Sequence, residues 1–289
     1  MNAGLSVSVV LATLGRPERL PGLLRAVVAQ LGPQDDVWVI DQSIGAAARA
    51  GEAAVAERND RRVHWRWRSR PGLPGARNQG VASSSGAVVW FLDDDVRLHP
   101  GCLEAHRRAF DDPRIGGVVG RIVETRLHPN AAELTNRVDR GGRVRTRLDG
   151  VEAGDVATLK GANMSLRRQA LREAGPFDER YGGTAFLEDA DLSTRVAALG
   201  WRLRFVPEAA VDHHHDPKGG VRQSSDRARL WWRFHNTATF VRRHRGWRGL
   251  APMAATQGLV AAWNGLRLGR PADVPHWWSA LARGWSDGG

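Results

Sequence analysis

Three consecutive carboxylates follow an apolar run of six residues at positions 87–92. The run is long enough to predict a buried strand, and Asp93, Asp94 and Asp95 come directly after it. In an open α/β sheet, ligands bind beyond the carboxyl ends of the strands. Asp93 and Asp95 offer only oxygen ligands, which suit Mg²⁺ or Mn²⁺ bound together with a substrate phosphate. The alternative is an acidic turn that only caps the next helix.

Polar side chains also end the first two predicted strands. Thr13 follows the apolar run 5–12, and Asp41 follows the run 37–40. The carboxylate of Asp41 could accept hydrogen bonds from a nucleobase N–H or a ribose hydroxyl. Its alternative role is a helix N-cap, aided by Ser43. Three successive strand ends therefore direct polar groups to one edge of the sheet, where we expect a single ligand.

A second acidic segment, at 188–191, begins a predicted helix. Asp189 lies three residues before Leu192 on the apolar face of this helix, so we expect its side chain to face inward. The N-terminus of a helix favours an ionised carboxylate, and an ionised, partly enclosed carboxylate can serve as general base for a hydroxyl nucleophile. The alternative is a carboxylate that only caps the helix. Asp191 is expected to form a weak surface ion pair with Arg195.

Three histidines follow a short apolar strand predicted at 204–211, and the first of them is His213. An imidazole could complete the coordination of a cation at Asp93 and Asp95, which favours Mn²⁺ over Mg²⁺. The alternative is that these histidines lie exposed on a loop and bind no metal.

The elements that must position these residues alternate between strand and helix in the first hundred residues. Strands are predicted at 5–12, 37–40, 63–68 and 87–92, and helices from Pro17, at 44–58 and at 77–85. This alternation predicts parallel crossovers and a Rossmann-like, mostly parallel sheet flanked by helices. The later predictions are a helix near 101–110, a strand at 117–124, a polar loop at 126–157, a strand at 157–160, a turn at 161–163 and a helix from about 167.

We expect a catalytic domain at 1–220 and a helical C-terminal appendage at 221–289. Residues 1–100 would form a nucleotide-binding half, and residues 101–220 an acceptor and catalytic half. The segment 222–248 contains eight arginines, one acidic residue and five aromatic residues. It resembles a basic amphipathic helix that lies on anionic lipid. The alternative is a terminal helix that packs its aromatic side chains on the core.

Composition is that of a soluble globular protein, with 42% hydrophobic and 25% charged residues among 289. No run of eighteen apolar residues and no basic-apolar leader is found, so neither a spanning helix nor a signal peptide is expected. The single cysteine, Cys102, excludes an internal disulfide and fits a reducing compartment. The net charge of +11 is compatible with nucleic-acid binding, but 40 of the 42 basic residues are arginine, a bias typical of genome composition.

The segments 7–20, 37–43, 72–95, 161–183 and 187–214 together resemble the family 2 glycosyltransferases, which are inverting sugar-nucleotide enzymes of the GT-A fold. They contain VSVVLATLGRPERL, VWVIDQS, GLPGARNQGVASSSGAVVWFLDDD, GANMSLRRQALREAGPFDERYGG and LEDADLSTRVAALGWRLRFVPEAAVDHH in the order expected for that family. The resemblance covers about 200 residues. It departs from the family at 14–15, where an aromatic residue and Asn are frequent.

The resemblance assigns roles to residues in the nucleotide half. Thr13 and Asp41 would bind the base and ribose. Arg77 would line the same nucleotide pocket, and we place Arg16 and Asp94 there as well. Asp93 and Asp95 would be the metal-binding Asp-x-Asp motif.

In the second half, the resemblance makes Glu188 and Asp189 the Glu-Asp motif, with Asp189 as catalytic base. His213 would be a metal ligand. The turn that contains Gly161 and Asn163 would border the donor sugar and the acceptor.

The implied activity is metal-dependent transfer of a sugar, with inversion, from a UDP- or dTDP-linked donor to a hydroxyl acceptor. Mn²⁺ or Mg²⁺ would be the cofactor. The acceptor would be a glycan, a lipid-linked glycan or a small molecule. We expect no nucleic-acid partner, and a cytoplasmic location that reaches the inner face of the membrane if 222–248 binds lipid. The alternatives are a sugar nucleotidyltransferase, a basic nucleic-acid-binding module and a nucleotide-binding scaffold without catalysis.

Overall fold

Residues 4–124, 135–214, 220 and 225–289 are described in the computed structural model. His215, the segment 126–134 of the predicted loop and residues 222–224 of the basic segment lie outside the described residues.

Four parallel strands form the first half of the central sheet, in the order β3-β2-β1-β4. They are β1 (Val7–Thr13), β2 (Asp36–Asp41), β3 (Val63–Trp67) and β4 (Val88–Asp93). The helices between them are α1 (Leu20–Val28), α2 (Gly45–Ala56) and α3 (Leu73–Ser83). Thr13 pairs with Asp41, and Ala12 pairs with Asp93, so these strands end at one level. The predicted convergence of the three strand ends is confirmed.

The second half of the sheet is mixed in direction. This part of the chain forms β5 (Val96–Leu98), α4 (Cys102–Ala109), β6 (Ile115–Glu124), β7 (Thr135–Val138), β8 (Val144–Arg147), β9 (Gly154–Asp155), β10 (Asn163–Arg167), α5 (Arg168–Ala174), α6 (Glu188–Ala198) and β11 (Arg202–His213). Of these strands, β7 and β8 form a separate two-stranded sheet. β10 lies antiparallel between β4 and β6, and β11 runs parallel to β6 and antiparallel to β5. The all-parallel part of the sheet is therefore confined to β1, β2, β3 and β4.

Two predictions for 126–167 are wrong. The described part of the predicted loop contains the antiparallel hairpin β7–β8 and the short strand β9, which pairs with β11. No strand forms at 157–160 in the described chain, because β10 begins only at Asn163, after the turn. The hairpin was missed because its residues are mostly polar, so its alternation of half-buried and exposed positions leaves little hydrophobic periodicity.

Three helices, α7 (Asp226–Arg245), α8 (Leu250–Arg267) and α9 (Val274–Asp287), follow the sheet. They bury a second hydrophobic cluster that also contains Tyr181, Leu187 and Ala190, from around the start of α6. Phe234 and Phe240 of α7 are 0% and 3% exposed. For these two side chains, packing on the core is the correct interpretation. Among the described residues, no helix combines the length and the apolar character needed to cross a bilayer.

Candidate active site

Two cavities open at the carboxyl edge of the parallel strands. The larger, of about 820 Å³, is lined by the ends of β1 and β4, the segments 70–75 and 178–183, and Trp232 of α7. The smaller, of about 210 Å³, is lined by the hairpin β7–β8, the turn at 158–162 and the segment 184–190. Leu73, Asp93 and His213 line both cavities, so the two spaces meet at these residues.

Asp93, Asp95 and His213 form a candidate metal centre where the cavities meet. One possible ligand atom from each residue lies within 4.8 Å of the other two. His213 ends β11 opposite Val96, and this pairing brings its Nε2 to 3.0 Å from Oδ1 of Asp95. Two carboxylates and an imidazole fit Mn²⁺ or Mg²⁺, and the nitrogen ligand favours Mn²⁺. The structure thus brings together the three predicted ligands.

Asp94, between the two candidate carboxylate ligands, contacts the predicted residues Thr13 and Arg16. The hydroxyl of Thr13 donates to Asp94 at 2.7 Å, and the Arg16 guanidinium lies 2.5 Å from the same carboxylate. Arg16 is also 3.4 Å from Asp95. Burial raises the pKa of Asp94 to about 6, although Arg16 and Thr13 oppose the rise. All of these side chains line the larger cavity.

Arg77 of α3 joins the metal centre to the start of α6. Its guanidinium forms an ion pair with Glu188 and lies 3.3 Å from Asp93. It also donates to the carbonyl of Gly161 at 3.1 Å. Burial alone would lower the pKa of Arg77, but the charges of Glu188, Asp93 and Asp189 raise it. A buried, permanently charged guanidinium therefore fixes the distance between two acidic groups.

Glu188 is 4% exposed, and its carboxylate pairs with Arg77. Burial and the neighbouring charge of Asp189 raise the pKa of Glu188 well above its usual value, against the attraction of Arg77. Asp189 differs because it is half-buried and lines the smaller cavity. Its two oxygens accept hydrogen bonds from the amides of Gly161, at 2.9 Å, and Ala190, at 2.7 Å. The two backbone donors therefore fix the orientation of this carboxylate at the wall of the cavity.

Gly161 is needed at its position because the guanidinium of Arg77 packs against it. A Cβ atom on Gly161 would lie 2.4 Å from a nitrogen of Arg77. Gly161 therefore contributes to the site in two ways. Its missing side chain leaves room for Arg77, and its amide donates a hydrogen bond to Asp189.

The predicted ion pair between Asp191 and Arg195 is present, but its expected surface position is wrong. The Asp191 side chain is fully buried, and it accepts hydrogen bonds from Arg195 at 3.0 Å and from Nε2 of His244 at 2.8 Å. Burial would raise the pKa of Asp191, but the bonds to His244 and Arg195 lower it. His244 lies on α7, so this carboxylate ties α6 to the C-terminal helices. Helical spacing could not reveal a partner 53 residues away.

Two further predicted site residues do not line the described cavities. Asp41 is 1% exposed and accepts a hydrogen bond from the amide of Ser43 at 2.8 Å, but it does not cap α2, whose N-cap residue is Ile44. Asn163 is fully buried, where its side chain meets Trp90 at 3.0 Å and His106 at 2.8 Å. Asn163 belongs to a central strand, so alternation of side chains turns it into the protein interior. Gln42, one residue after Asp41, lines the larger cavity instead.

Trp232 lines the larger cavity, but the sequence analysis did not predict it as a site residue. It lies against the backbone at 182–183, where a Cβ on Gly183 would be 2.1 Å from the indole and where φ is +58°. The only signal in the sequence was the Gly-Gly pair, because glycine permits both this φ and close packing of a ring. Arg68 and Arg70 also line the larger cavity and were not predicted as site residues.

Comparison with known proteins identifies the family. The model of glycosyl transferase family 2 matches residues 8–175, which is more than half of the chain. The chain belongs to glycosyltransferase family 2.

Two curated relatives come from Mycobacterium tuberculosis. A pre-mycofactocin glycosyltransferase is 34% identical over 148 residues, which cover 50% of this chain and 30% of the relative. An N-acetylglucosaminyl-diphospho-decaprenol L-rhamnosyltransferase is 28% identical over 181 residues, which cover 55% of this chain and 56% of the relative. The chain thus spans less than two thirds of the length of these relatives.

Solved structures share the fold at low identity. GalNAc-T7 with UDP, GalNAc and Mn²⁺ has a TM-score of 0.69 at 18% identity, over 89% of this chain and 51% of that protein. The mannosyltransferase PcManGT from Pyrobaculum calidifontis, in complex with GDP-Man and Mn²⁺, has a TM-score of 0.63 at 17% identity, over 100% of this chain and 77% of that protein. The predicted GT-A fold with a helical C-terminal region is confirmed.

Proposed function

We propose that this protein transfers a sugar from a nucleoside-diphosphate donor to an acceptor hydroxyl, with inversion and with a divalent cation. The observation that carries the proposal is the meeting of two cavities at Asp93 and His213, with Asp189 on the wall of the smaller one. The larger cavity has the volume of a nucleotide-sugar site. The donor would therefore occupy the larger cavity and the acceptor the smaller one.

Asp93, Asp95 and His213 would hold the cation. When bound there, Mn²⁺ or Mg²⁺ supplies a Lewis acid that neutralises a diphosphate leaving group. The relatives with bound UDP or GDP-Man and Mn²⁺ support this choice of ligands. UDP- or dTDP-linked sugars are the proposed donors.

Asp189 would remove the proton from the acceptor hydroxyl. Its oxygens are held by the amides of Gly161 and Ala190, so the carboxylate needs little reorganisation when it accepts a proton. Arg77 and Glu188 would keep this base at a fixed distance from Asp93. The oxygen would then attack the anomeric carbon while the nucleoside diphosphate leaves, and a single displacement inverts the configuration.

The acceptor would be a glycan, a lipid-linked glycan or a small molecule. One relative is named for a diphospho-decaprenol acceptor, which supports the lipid-linked class. Contact of 222–248 with a membrane, a cytoplasmic location and a division of the chain near residue 220 stay predictions.

The test uses water as a slow acceptor, so that no acceptor has to be known. A panel of UDP- and dTDP-sugars is first ranked by thermal shift with Mn²⁺, since ligands stabilise the form that binds them. The best donor is then incubated with the protein, and the released nucleotide and the anomer of the free sugar are followed by NMR. Release of a nucleoside diphosphate with an inverted sugar is expected. Release of pyrophosphate would indicate a nucleotidyltransferase, and retention would contradict direct displacement.

A further inference from the structure

A groove of about 590 Å³ lies between α7 and α8, next to the proposed acceptor cavity. Thr184 and Phe186 line both the groove and the smaller cavity. A molecule whose hydroxyl lies at Asp189 could therefore extend past these two residues into the groove without leaving the protein surface.

The groove is basic. Three arginines and one aspartate are the charged residues that line it, namely Arg229, Arg233, Arg267 and Asp226. Arg229 forms an ion pair with Asp226 on the same helix. Within the described parts of the chain, no carboxylate lies at ion-pair distance from Arg233 or Arg267.

Arg233 is held in place by an aromatic ring. Its guanidinium carbon lies 4.9 Å from the centre of the Phe186 ring. Burial and the nearby charge of Arg143 lower the pKa of Arg233. An anion in the groove would supply the opposite charge that this buried guanidinium lacks. Phe186 thus orients the Arg233 guanidinium where the groove meets the smaller cavity.

We propose that this groove binds the phosphate or diphosphate of an acceptor whose sugar hydroxyl reaches Asp189. This inference rests on the proposed function. Guanidinium groups match phosphate oxygens with paired hydrogen bonds, and two of them without protein carboxylates favour a multiply charged anion over a neutral glycan.

Such a phosphate could come from a free glycosyl phosphate or from a lipid-linked one. Leu259, Trp263 and Leu266 recur at helical spacing on α8 and are 75%, 65% and 74% exposed. Arg267 of the groove follows Leu266 directly in the chain, so this apolar stripe lies about a quarter-turn or more around α8 from the groove. An apolar chain attached to the phosphate would reach the stripe by passing over α8.

The test measures binding of octyl diphosphate by isothermal titration calorimetry in metal-free buffer, so that no cation bridges the probe to Asp93 and Asp95. Arg233→Ala and Arg267→Ala should each weaken binding about tenfold, as expected for a lost hydrogen bond between charged groups. Arg108→Ala is the matched control, because this arginine of α4 is 76% exposed and lies outside the groove. Unchanged affinity in the Arg233→Ala/Arg267→Ala double variant would overturn the inference.

Two further measurements separate the possible outcomes. UDP binding with Mn²⁺ should be equal in all these variants, and a wild-type protein that binds no nucleoside diphosphate would refute the proposed function rather than the groove.

Ethyl diphosphate replaces the octyl compound to distinguish the two sources of the phosphate. Equal affinities support a free glycosyl phosphate. Tighter binding of the octyl compound, lost in Trp263→Ala, supports a lipid-linked one.

Discussion

The candidate metal centre and the proposed base are held in place by different means. Asp93 lies at the end of β4, and Asp95 just beyond it, beside strands whose register sets their ends at one level. Asp189 is the second residue of α6, whose first turn is tied to Arg77, to Gly161 and to α7. The first site is therefore a product of sheet topology, whereas the second depends on contacts between residues far apart in the chain.

Backbone conformation reinforces this contrast. Ala185 and Leu187, just before α6, have φ values of 53° and 74°, in the left-handed region. Such residues cost about 1 to 3 kcal/mol each and persist only when the surrounding structure holds them. Here Leu187 packs in the second hydrophobic cluster with the C-terminal helices. The C-terminal region thus helps to position the base.

The largest effect is expected from a substitution that disturbs the candidate metal centre and the start of α6 at the same time. Arg77→Ala leaves Glu188 and Asp93 without their shared counter-ion, and loss of one partner of a buried ion pair costs about 3 to 5 kcal/mol. The free energy of unfolding should fall by that amount in denaturant titrations. A fall below about 1 kcal/mol would show that Arg77 does not bridge the two regions.

Asp191→Asn should disturb only the second region. The variant removes the charge that binds His244 and Arg195, and we expect a loss of about 3 kcal/mol in stability. At a temperature where the variant is folded, kcat should fall while the affinity for UDP with Mn²⁺ is kept. The control is Asp111→Asn, an exposed aspartate after α4. Equal losses of kcat and nucleotide affinity would contradict a separate role for α6.

Asp94 should give the first region a pH dependence of its own. Its folded pKa of about 6 exceeds the usual 3.8, so the folded state binds more protons between these values. Stability should therefore fall as pH rises from about 4 to 6, by up to roughly 3 kcal/mol from this group, and then level off. Other carboxylates oppose this slope, so the comparison is with Asp94→Asn. Identical pH profiles for the two proteins would contradict the assignment.

The smallest effect is expected where the two regions touch. Gly161→Ala places a methyl group against Arg77 and should cost about 1.5 kcal/mol through displaced packing. Because the Gly161 amide also holds Asp189, kcat should fall severalfold in the same variant. Gly150→Ala is the control, since nothing lies within 4 Å of a Cβ there. If Gly161→Ala behaves like this control, Arg77 is free to shift without consequence.

The strand ends could be predicted from the sequence because short apolar runs followed by polar residues report on sheet edges directly. Asp93, Asp95 and His213 were predicted together, and the structure brings them together. Asp41 and Asn163 were placed at the site because their segments reach it, but a segment does not fix which way its side chain turns. Burial of Asp191 depends on His244, and no local pattern relates them.

The central claim is that Asp189 acts as a base beside the donor cleft without taking part in donor binding. The most direct measurement compares kcat and donor affinity in Asp189→Asn, with Asp111→Asn as control. The amide cannot accept the acceptor proton, so kcat should fall by about 10² to 10⁴ while the affinity for the donor with Mn²⁺ stays within about twofold. Full activity in Asp189→Asn, or a loss confined to donor affinity, would contradict the account.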